Sequence, residues 1–208
     1  MKSPPLPLEE AQTRLLALTS PLPVERVDAA SALGRYLAEP IAALRTNPGA
    51  DCSAMDGYAV AQGDMTGPWR VIGESAAGHP FAGTVKPGEA ARISTGAVMP
   101  VGAGAVILQE DIRREGDTIT LTGEAPEPPG KHIRRHGMDF RTGDTLLAAG
   151  TRIGPAQLAL AISAGHMHLP VRRIPRLAII DSGDELAANF ADCAPHQVPA
   201  SNGAMLAA

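Results

Sequence analysis

The 208-residue chain is predicted to have an α+β, multi-domain fold. Its first forty residues contain two stretches in which apolar residues recur at helical spacing. From about residue 57 to 122 the pattern changes to short extended pieces separated by glycine and proline, which indicates a compact all-β unit. Near the end, a continuous apolar stretch runs into a glycine-containing acidic loop, which is typical of the start of an α/β unit.

Composition narrows the classes of protein to which the chain can belong. Hydrophobic residues make up 44% of it, enough for a core, but only 3% are aromatic, so that core is expected to be aliphatic. The formal net charge of −4 argues against a nucleic-acid partner. No apolar run is long enough for a membrane span, and the N-terminus lacks a signal-peptide pattern. Because Cys52 and Cys193 match no ligand spacing, they are expected to be free thiols, and a cytoplasmic location is predicted.

Apolar spacing and proline define the N-terminal elements. A first helix is predicted from Pro7, since proline suits the first helical position. Its apolar face is formed by Leu8, Ala11, Leu15 and Leu18. A short strand is predicted at 24–27, and a second helix from Asp28, as N-cap, through Leu37.

Turn residues separate the strands predicted for the β unit. These strands are Tyr58–Ala61, Trp69–Glu74, Glu89–Ser94, Ala105–Gln109 and Asp117–Thr122. The proline-rich stretch 124–130 is then expected to be a stiff connection. A later helix is predicted over Pro155–Ala164, with Leu158 and Ile162 on one face and Gly165 just past its end.

The final segment predicts the beginning of a further domain. Arg176–Ile180 is predicted to be a buried strand, and Ser201 or Asn202 is expected to cap another helix. A lone strand and a short helix cannot bury their apolar faces. We therefore expect the chain to be a fragment of a longer protein.

Two stretches of the β unit carry candidate site residues. Asp56 lies in Ser53–Val60, on a turn of small residues that precedes an apolar run. A carboxylate there suits a metal or a phosphorylated substrate, or alternatively caps a tight turn. Ser94 and Thr95 end an extended run within Arg92–Ala97. Their hydroxyls and backbone N–H groups suit an oxyanion, although an ordinary turn has the same pattern.

Two charged stretches follow along the chain. Gln109–Asp111 contains paired acids, which suit Mg²⁺ or a solvated surface. In Lys131–Asp139, Arg134 could bind a phosphate, and Asp139 could orient a basic group or hold a metal-bound water. The alternative is a charged surface segment. Its two histidines lack a third ligand at a plausible spacing, which argues against zinc.

A third acidic group follows the last predicted strand, at the position where open α/β sheets bind ligands. It consists of Asp181, Asp184 and Glu185, of which Asp184 could instead cap a helix. The sequence contains no nucleophile elbow, phosphate-binding P-loop, dinucleotide fingerprint or zinc-protease motif. The residues alone therefore indicate a protein that handles anions or metals.

Six motifs in order resemble the molybdopterin molybdenumtransferase family, known as MoeA in bacteria and as the E domain of gephyrin. They are Ser53-Ala-Met-Asp-Gly-Tyr-Ala-Val60, Arg92-Ile-Ser-Thr-Gly-Ala-x-x-Pro-x-Gly-Ala103, Ala105-Val-Ile-Leu-Gln-Glu-Asp111, His132-Ile-Arg-Arg-x-Gly-x-Asp139, Ser182-Gly-Asp-Glu-Leu186 and Ser201-Asn202. The resemblance covers nearly the whole chain. Two departures are Ser182, where the family usually has threonine, and Met138, where it commonly has glutamate.

The resemblance implies an elongated homodimer of multi-domain subunits. Domain I would be an N-terminal helical/β dimerisation domain made of residues 1–49 and 138–174. Domain II would be an inserted, mostly-β domain over 50–137. Residues 175–208 would form the truncated start of domain III, an α/β molybdopterin-binding domain.

The resemblance also implies a reaction and its site. The family inserts molybdate into adenylylated molybdopterin with release of AMP, using Mg²⁺, in a cleft shared between subunits. By motif match, the catalytic residues would be Asp56, Thr95, Asp139 and Glu185, with Asp56 and Glu185 also at the metal. Substrate binding would involve Ser94, Arg134 and Asp184.

The implied partners are a second copy of the chain, the pterin substrate, molybdate and, as a candidate, the molybdopterin adenylyltransferase. Neither nucleic acid nor membrane is expected. The fragment is expected to be inactive alone. The alternative is a non-catalytic dimerisation or interaction module derived from the same family.

Overall fold

The computed structural model describes residues 6–189, 191 and 193–208. It is a mixed fold in which strands dominate. Two compact units are present, one formed by Glu25–Val171 and the other by the described parts of 1–24 and 172–208. The elements in chain order are α1 (Leu8–Ala17), β1 (Val24–Asp28), a 3₁₀ helix (Ala29–Ala32), β2 (Ile41–Ala42), β3 (Cys52–Ser53), β4 (Gly57–Ala61), β5 (Trp69–Ser75), β6 (Glu89–Ile93), β7 (Ala103–Leu108), a second 3₁₀ helix (Gln109–Asp111), β8 (Ile112–Glu115), β9 (Thr118–Leu121), β10 (Ile133–Arg134), β11 (Thr145–Leu147), α2 (Pro155–Ser163), β12 (His168–Arg172), β13 (Leu186–Ala187), β14 (Val198–Pro199) and α3 (Asn202–Ala207).

The main sheet of the Glu25–Val171 unit has six strands within the described residues, in the order β7-β4-β6-β5-β9-β8. Strand β4 pairs antiparallel with β6 on one side and with β7 on the other. Strands β5 and β6 run parallel, whereas β5 with β9 and β8 with β9 are antiparallel. Every residue of β4 is buried. The strand therefore has both its edges and both its faces covered.

Alternation along β4 distributes its side chains between two apolar clusters. Tyr58 and Val60 point into a cluster that they share with Trp69, Ala90, Ala105, Ile107 and Ile119. Ala59, between them, belongs to a second cluster with Ile93, Ala97, Val106 and Ile133. Trp69 is fully buried, and its indole N–H donates to the Asp64 carbonyl at 3.2 Å.

A separate core of this unit forms around α2. Its buried members are Ala32, Leu37, Ile41, Ile153, Ala161, Leu169 and Val171. A smaller adjoining group contains Ala43, Phe140 and Ala164. Two short sheets, β1 with β12 and β2 with β11, bring the residues before 43 against those after 140. Helix α2 ends where Gly165 takes a φ of +100°, a left-handed value that favours glycine.

The other unit is smaller and has little regular structure. Helix α1 contains no buried residue. Strands β13 and β14 pair in parallel over two residues each, and α3 follows with Ser201 at its N-cap. None of the described helices combines the length and apolar character needed to cross a membrane.

Most of the predicted elements are confirmed. The five predicted strands of the β unit correspond to β4, β5, β6, β7 and β9 within two residues at each end. Helices α1 and α2 begin at or next to the predicted residues, and α3 begins at Asn202. Strand β8 was not predicted, because three of its four residues are charged. The division into three domains stays a prediction.

The helix predicted from Asp28 through Leu37 is wrong beyond Ala32. A single 3₁₀ segment ends there, and Gly34 takes a left-handed φ of +78°. The Leu37 N–H donates to the Thr151 carbonyl at 2.9 Å, and Leu37 forms a bridge with Val171. Pairing with distant backbone therefore overrides the local helical pattern.

The buried strand predicted at Arg176–Ile180 is also wrong. The segment is not in a ladder with any described strand, and Leu177 and Ile180 are 80% and 86% exposed. A strand is defined by its pairing, and the described residues provide no partner here.

The predicted apolar face of α2 needs a smaller correction. Leu158 does pack on the core, but Ala161 is the buried residue, and Ile162 is 46% exposed.

Ile107→Ala tests whether the cluster beside β4 determines stability. We expect a loss of about 2–5 kcal/mol in the free energy of unfolding, because a fully buried side chain leaves a cavity. Trp69 is the sole tryptophan and lies in the same cluster, so its fluorescence during urea unfolding provides the measurement. Val101→Ala, at a side chain 70% exposed, is the control and should change stability by less than about 0.5 kcal/mol. Equal effects of the two substitutions would contradict the assignment of the core.

Candidate functional site

Asp56 and Thr95 are in direct contact, although they lie 39 residues apart. Asp56 stands immediately before β4 with its side chain exposed. Its Oδ1 accepts two hydrogen bonds, from the backbone N–H of Thr95 at 2.6 Å and from Thr95 Oγ1 at 2.9 Å. Within the described part of the chain, Oδ2 of Asp56 accepts no hydrogen bond and joins no ion pair. One carboxylate oxygen is therefore held while the other faces solvent.

The backbone around Ser53 aligns the two segments that carry this contact. Ser53 donates its N–H to the Ala97 carbonyl at 2.9 Å and accepts the Gly96 N–H at 2.8 Å. Its buried hydroxyl donates to the Met55 carbonyl at 2.6 Å and accepts the Met55 N–H at 3.2 Å. Gly96 has a φ of +81°, which lets the chain turn directly after Thr95. These bonds position the Thr95 donors opposite Asp56.

Gly57 allows β4 to approach β7 closely beside the acid. A Cβ on Gly57 would lie 2.0 Å from the Ile107 carbonyl oxygen, far inside van der Waals contact. On the same side, the Gln109 N–H donates to the Asp56 carbonyl at 3.2 Å. A side chain at position 57 would thus displace the backbone that carries Asp56.

The pKa of Asp56 is lowered from the ordinary aspartate value. The largest cause is the backbone N–H of Thr95, followed by its hydroxyl. Partial desolvation acts in the opposite direction, and the positive charge of Arg92 lowers the pKa further. Asp56 is therefore a carboxylate at neutral pH, stabilised mainly by hydrogen bonds to the ionised form.

Arg134 and Asp139 form a second polar contact, from β10 to the turn after it. Arg134 Nη2 lies 2.8 Å from Asp139 Oδ1 and 2.7 Å from Oδ2. Asn47 Nδ2 donates to Oδ2 at 2.7 Å from a position 92 residues away in sequence. Both oxygens of Asp139 thus interact with donors. Of the two roles considered for Asp139, the geometry favours orienting a basic group.

A neighbouring pair involves Asp51, which sequence reasoning missed. Its carboxylate accepts Arg135 Nη1 at 2.6 Å and the His136 N–H at 2.8 Å. The pKa of Asp51 is lowered, first by the His136 N–H and then by the Arg135 hydrogen bond and charge, while burial opposes them. No local pattern marks Asp51, because its partners lie more than eighty residues away.

The structure brings some of the predicted site residues together. Strand β3 pairs with β10, so Cys52 faces Arg134 in the register, and the Ser94–Ala97 turn lies along the other side of Ser53. The half-buried Ser94 donates its backbone N–H to the Ser75 carbonyl at 3.1 Å. Asp184 and Glu185 belong to the other compact unit, where both are exposed.

The side chains of the candidate site limit the kind of metal ion that it could hold. Among the described residues, no group of three or more His, Cys, Asp or Glu side chains could hold a metal ion. Mg²⁺ is nevertheless often held by one or two carboxylates, with waters and substrate phosphates as the remaining ligands. The ionised Asp56 with its exposed Oδ2 fits the role of one such ligand.

A cavity of about 320 Å³ lies elsewhere in the same unit. Its walls are formed by Leu108, Asp111, Gly123, Glu124, Ala125, Pro126, Lys131 and His132. Burial lowers the pKa of His132, and the Lys131 charge lowers it further, while Asp111 acts in the opposite direction. Acidic and basic groups therefore line this cavity together.

Comparison with known proteins yields a consistent set of relatives. Residues 6–165 match a family described as the MoeA N-terminal region (domain I and II). A molybdopterin molybdenumtransferase from Nostoc sp. is 36% identical over 198 residues, covering 92% of this chain and 45% of that protein. Gephyrin from Dictyostelium discoideum is 30% identical over 178 residues, covering 78% of this chain and 25% of that protein.

Solved structures give the same result. A crystal structure of a molybdopterin biosynthesis MoeA protein from Pyrococcus horikoshii aligns with a TM-score of 0.85 and 32% identity. The alignment covers 97% of this chain and 55% of that one. The chain thus spans about half the length of the molybdenumtransferases and MoeA structures that it matches.

Thr95→Val tests the hydroxyl donor to Asp56. The substitution removes the hydroxyl but keeps the backbone N–H, which is the larger cause of the lowered pKa. We expect the pKa of Asp56 to rise part of the way toward the ordinary value, as measured by ¹³C NMR titration of its carboxyl carbon. Thr95→Ser keeps the hydroxyl and should leave that pKa near the wild-type value. A wild-type pKa in Thr95→Val would show that the hydroxyl contributes nothing.

Asp51 predicts acid sensitivity of the fold. A carboxyl with a lowered folded-state pKa stabilises the fold above its unfolded-state pKa of about 4, and this contribution is lost as pH falls through the folded-state value. Asp51→Asn should therefore flatten the fall in the free energy of unfolding on acidification, as measured by urea unfolding between neutral and low pH. Asp117→Asn is the control, because the Asp117 side chain is 84% exposed. An unchanged slope in Asp51→Asn would contradict the linkage.

Proposed function

The chain belongs to the MoeA N-terminal region family, and we propose that it acts in molybdenum cofactor biosynthesis as part of a molybdopterin molybdenumtransferase. The proposed reaction inserts molybdate into adenylylated molybdopterin and releases AMP. The observation that carries the proposal is the Asp56 carboxylate, ionised and held on one oxygen by two Thr95 donors. The names of the relatives support the reaction class, since several are molybdopterin molybdenumtransferases.

Asp56 fits the need of this chemistry for a cation ligand. Releasing AMP breaks a phosphoanhydride, and a bound divalent cation offsets the negative charge that develops there. We propose that Oδ2 of Asp56 contributes one ligand to Mg²⁺ and, by the family resemblance, that Glu185 of a second copy of the chain contributes another. A hydrogen-bonded aspartate suits this role, because Thr95 fixes its direction without neutralising it.

Thr95 and Ser94 take different roles in this proposal. Both donors of Thr95 are directed at Asp56, so Thr95 acts by holding that carboxylate. The Ser94 hydroxyl makes no hydrogen bond within the described part of the chain, which leaves it available to a molybdate or phosphate oxygen. Ser94 is therefore the better candidate for the oxyanion contact.

Arg134 and Asp139 are proposed to act as a pair. Asp139 interacts with Nη2 of Arg134, while the other guanidinium nitrogens have no partner among the described residues. Arg134 can therefore bind a substrate phosphate with the rest of its fork. Asp139 fixes the direction of the guanidinium, and Asp184 is retained as a proposed substrate contact.

The assembly around this site is proposed from family membership. We propose a homodimer in which the pterin substrate and molybdate bind between subunits, with the adenylyltransferase that makes the substrate as a candidate partner. Light scattering of the purified chain measures its oligomeric state directly.

Asp56→Asn tests the proposed function. The asparagine keeps the shape of the side chain but loses its charge, so we expect cofactor formation to fall about a hundredfold or more. The assay measures cofactor formed from adenylylated molybdopterin and molybdate by a chimera that joins this chain to the C-terminal half of the Nostoc relative. The 208-residue chain alone is expected to form none.

The matched control is Asp117→Asn, which removes an equal charge from the exposed turn between β8 and β9. It should leave cofactor formation within about twofold of the wild-type chimera, because it touches no part of the proposed site. Equal activity in Asp56→Asn and the wild-type chimera would refute the role of Asp56. Cofactor formation by the 208-residue chain alone would refute its expected dependence on the C-terminal half that the relative supplies.

A further inference from the structure

The side chain of Arg92 is hydrogen-bonded to neutral partners beside the first residue of β4. Its Nη1 donates to the Gly57 carbonyl at 3.1 Å, and its Nη2 donates to Gln109 Oε1 at 2.8 Å. The guanidinium carbon also lies 5.5 Å from the centroid of the Tyr58 ring, within the range of a cation–π contact. One side chain therefore contacts two residues of β4 and the first residue of the 3₁₀ helix after β7.

The position of Arg92 in the sheet explains this reach. Arg92 pairs with Tyr58 in the β6–β4 register, and Gly57 pairs with Leu108 in the β4–β7 register. The guanidinium thus crosses β4 at the residue that follows Asp56. The chain then continues from Arg92 to Thr95, which donates to Asp56. The two segments that hold Asp56 are therefore joined by Arg92.

The choice of partners distinguishes Arg92 from Arg134. Arg134 donates to both oxygens of Asp139 and neutralises that acid. Arg92 forms no direct ion pair with a carboxylate in the described residues, and its recorded donors go to a carbonyl and an amide oxygen. Its positive charge is held near Asp56 while Oδ2 of Asp56 remains open.

We propose that Arg92 is a positioning residue that fixes the Asp56 carboxylate against Thr95 and keeps its second oxygen free for a ligand. The fork geometry of a guanidinium is needed, because two acceptors, one on β4 and one on the 3₁₀ helix after β7, must be bonded at once. Any effect on catalysis rests on the function proposed above, whereas the positioning itself does not. Gln109 also contacts a charged group, since its Nε2 donates to Glu110 Oε1 at 3.2 Å.

The backbone N–H of Thr95 gives a spectroscopic measure of this positioning. A short hydrogen bond to a carboxylate moves an amide proton downfield and slows its exchange with solvent. Both quantities can be measured on the purified 208-residue chain at neutral pH, without pterin or molybdate. Asp56→Asn sets the scale, since it removes the charged acceptor.

The difference in Thr95 amide proton shift between the wild type and Asp56→Asn is the full effect. We expect Arg92→Lys to keep roughly half of that effect or less, because an ammonium group cannot span both acceptors. Gln109→Leu removes one anchor at an exposed position and keeps the arginine, so it should shift the same proton in the same direction. Arg70→Lys is the matched control, since Arg70 is 68% exposed and pairs with Glu89 at 3.2 Å. It should leave the Thr95 signal unchanged.

A purely structural role for Arg92 predicts a different result. Arg92→Lys and Gln109→Leu would then lower the melting temperature, while the Thr95 amide kept its wild-type shift and exchange rate in the folded chain. That outcome overturns the proposal. It would leave the Asp56→Asn assay of the chimera unaffected, so failure of the positioning role and failure of the proposed function are separable.

Discussion

The close approach of β4 to β7 is the constraint on which the candidate site depends. Strand β4 is buried along its whole length between β6 and β7. A Cβ at Gly57 would lie 2.0 Å from the Ile107 carbonyl oxygen, so only glycine permits this spacing next to the acid. Because β6 and β7 both run antiparallel to β4, the segment after β6 and the segment after β7 lie where β4 begins. Thr95 and Gln109 are in those segments, and both bond to Asp56.

Hydrogen bonds, and not burial, set the state of the acid at this position. An isolated carboxylate moved into an apolar interior loses its hydration, and its pKa rises. Asp56 remains exposed and receives two directed donors on one oxygen, so its pKa falls and its direction is defined at the same time. The cation proposed for this site would therefore meet a carboxylate whose charge and direction are already set. Little reorganisation is then needed at the moment of binding.

The elements and contacts that could be predicted from the sequence are those marked by a pattern in neighbouring residues. The strands from β4 to β7 were predictable because glycine and proline separate them. Strand β8 was not, since an edge strand with three charged residues lacks apolar alternation. Residues 33–37 were predicted as helix because the pairing of Tyr36 with Arg152 and of Leu37 with Val171 leaves no trace in the local sequence. The Asp56–Thr95 contact spans 39 residues, so only the family resemblance joined the two motifs beforehand, and it gave no role to Arg92.

The contrast between Asp56 and Asp139 indicates which acid of the β unit would receive a cation. Both lie on segments that flank β3, and both are partly or largely exposed. Asp139 shares its two oxygens with Arg134 and Asn47, so an incoming cation would have to displace a charged donor. Among the described residues, the hydrogen bonds to the Asp56 side chain come from the neutral donors of Thr95 and reach one oxygen, while the nearby Arg92 donates to carbonyl and amide oxygens instead. A cation that bound Oδ2 of Asp56 would not have to break the hydrogen bonds from Thr95 to Oδ1. These contacts support the proposal that a cation binds at Asp56 and an anion at the remaining donors of Arg134.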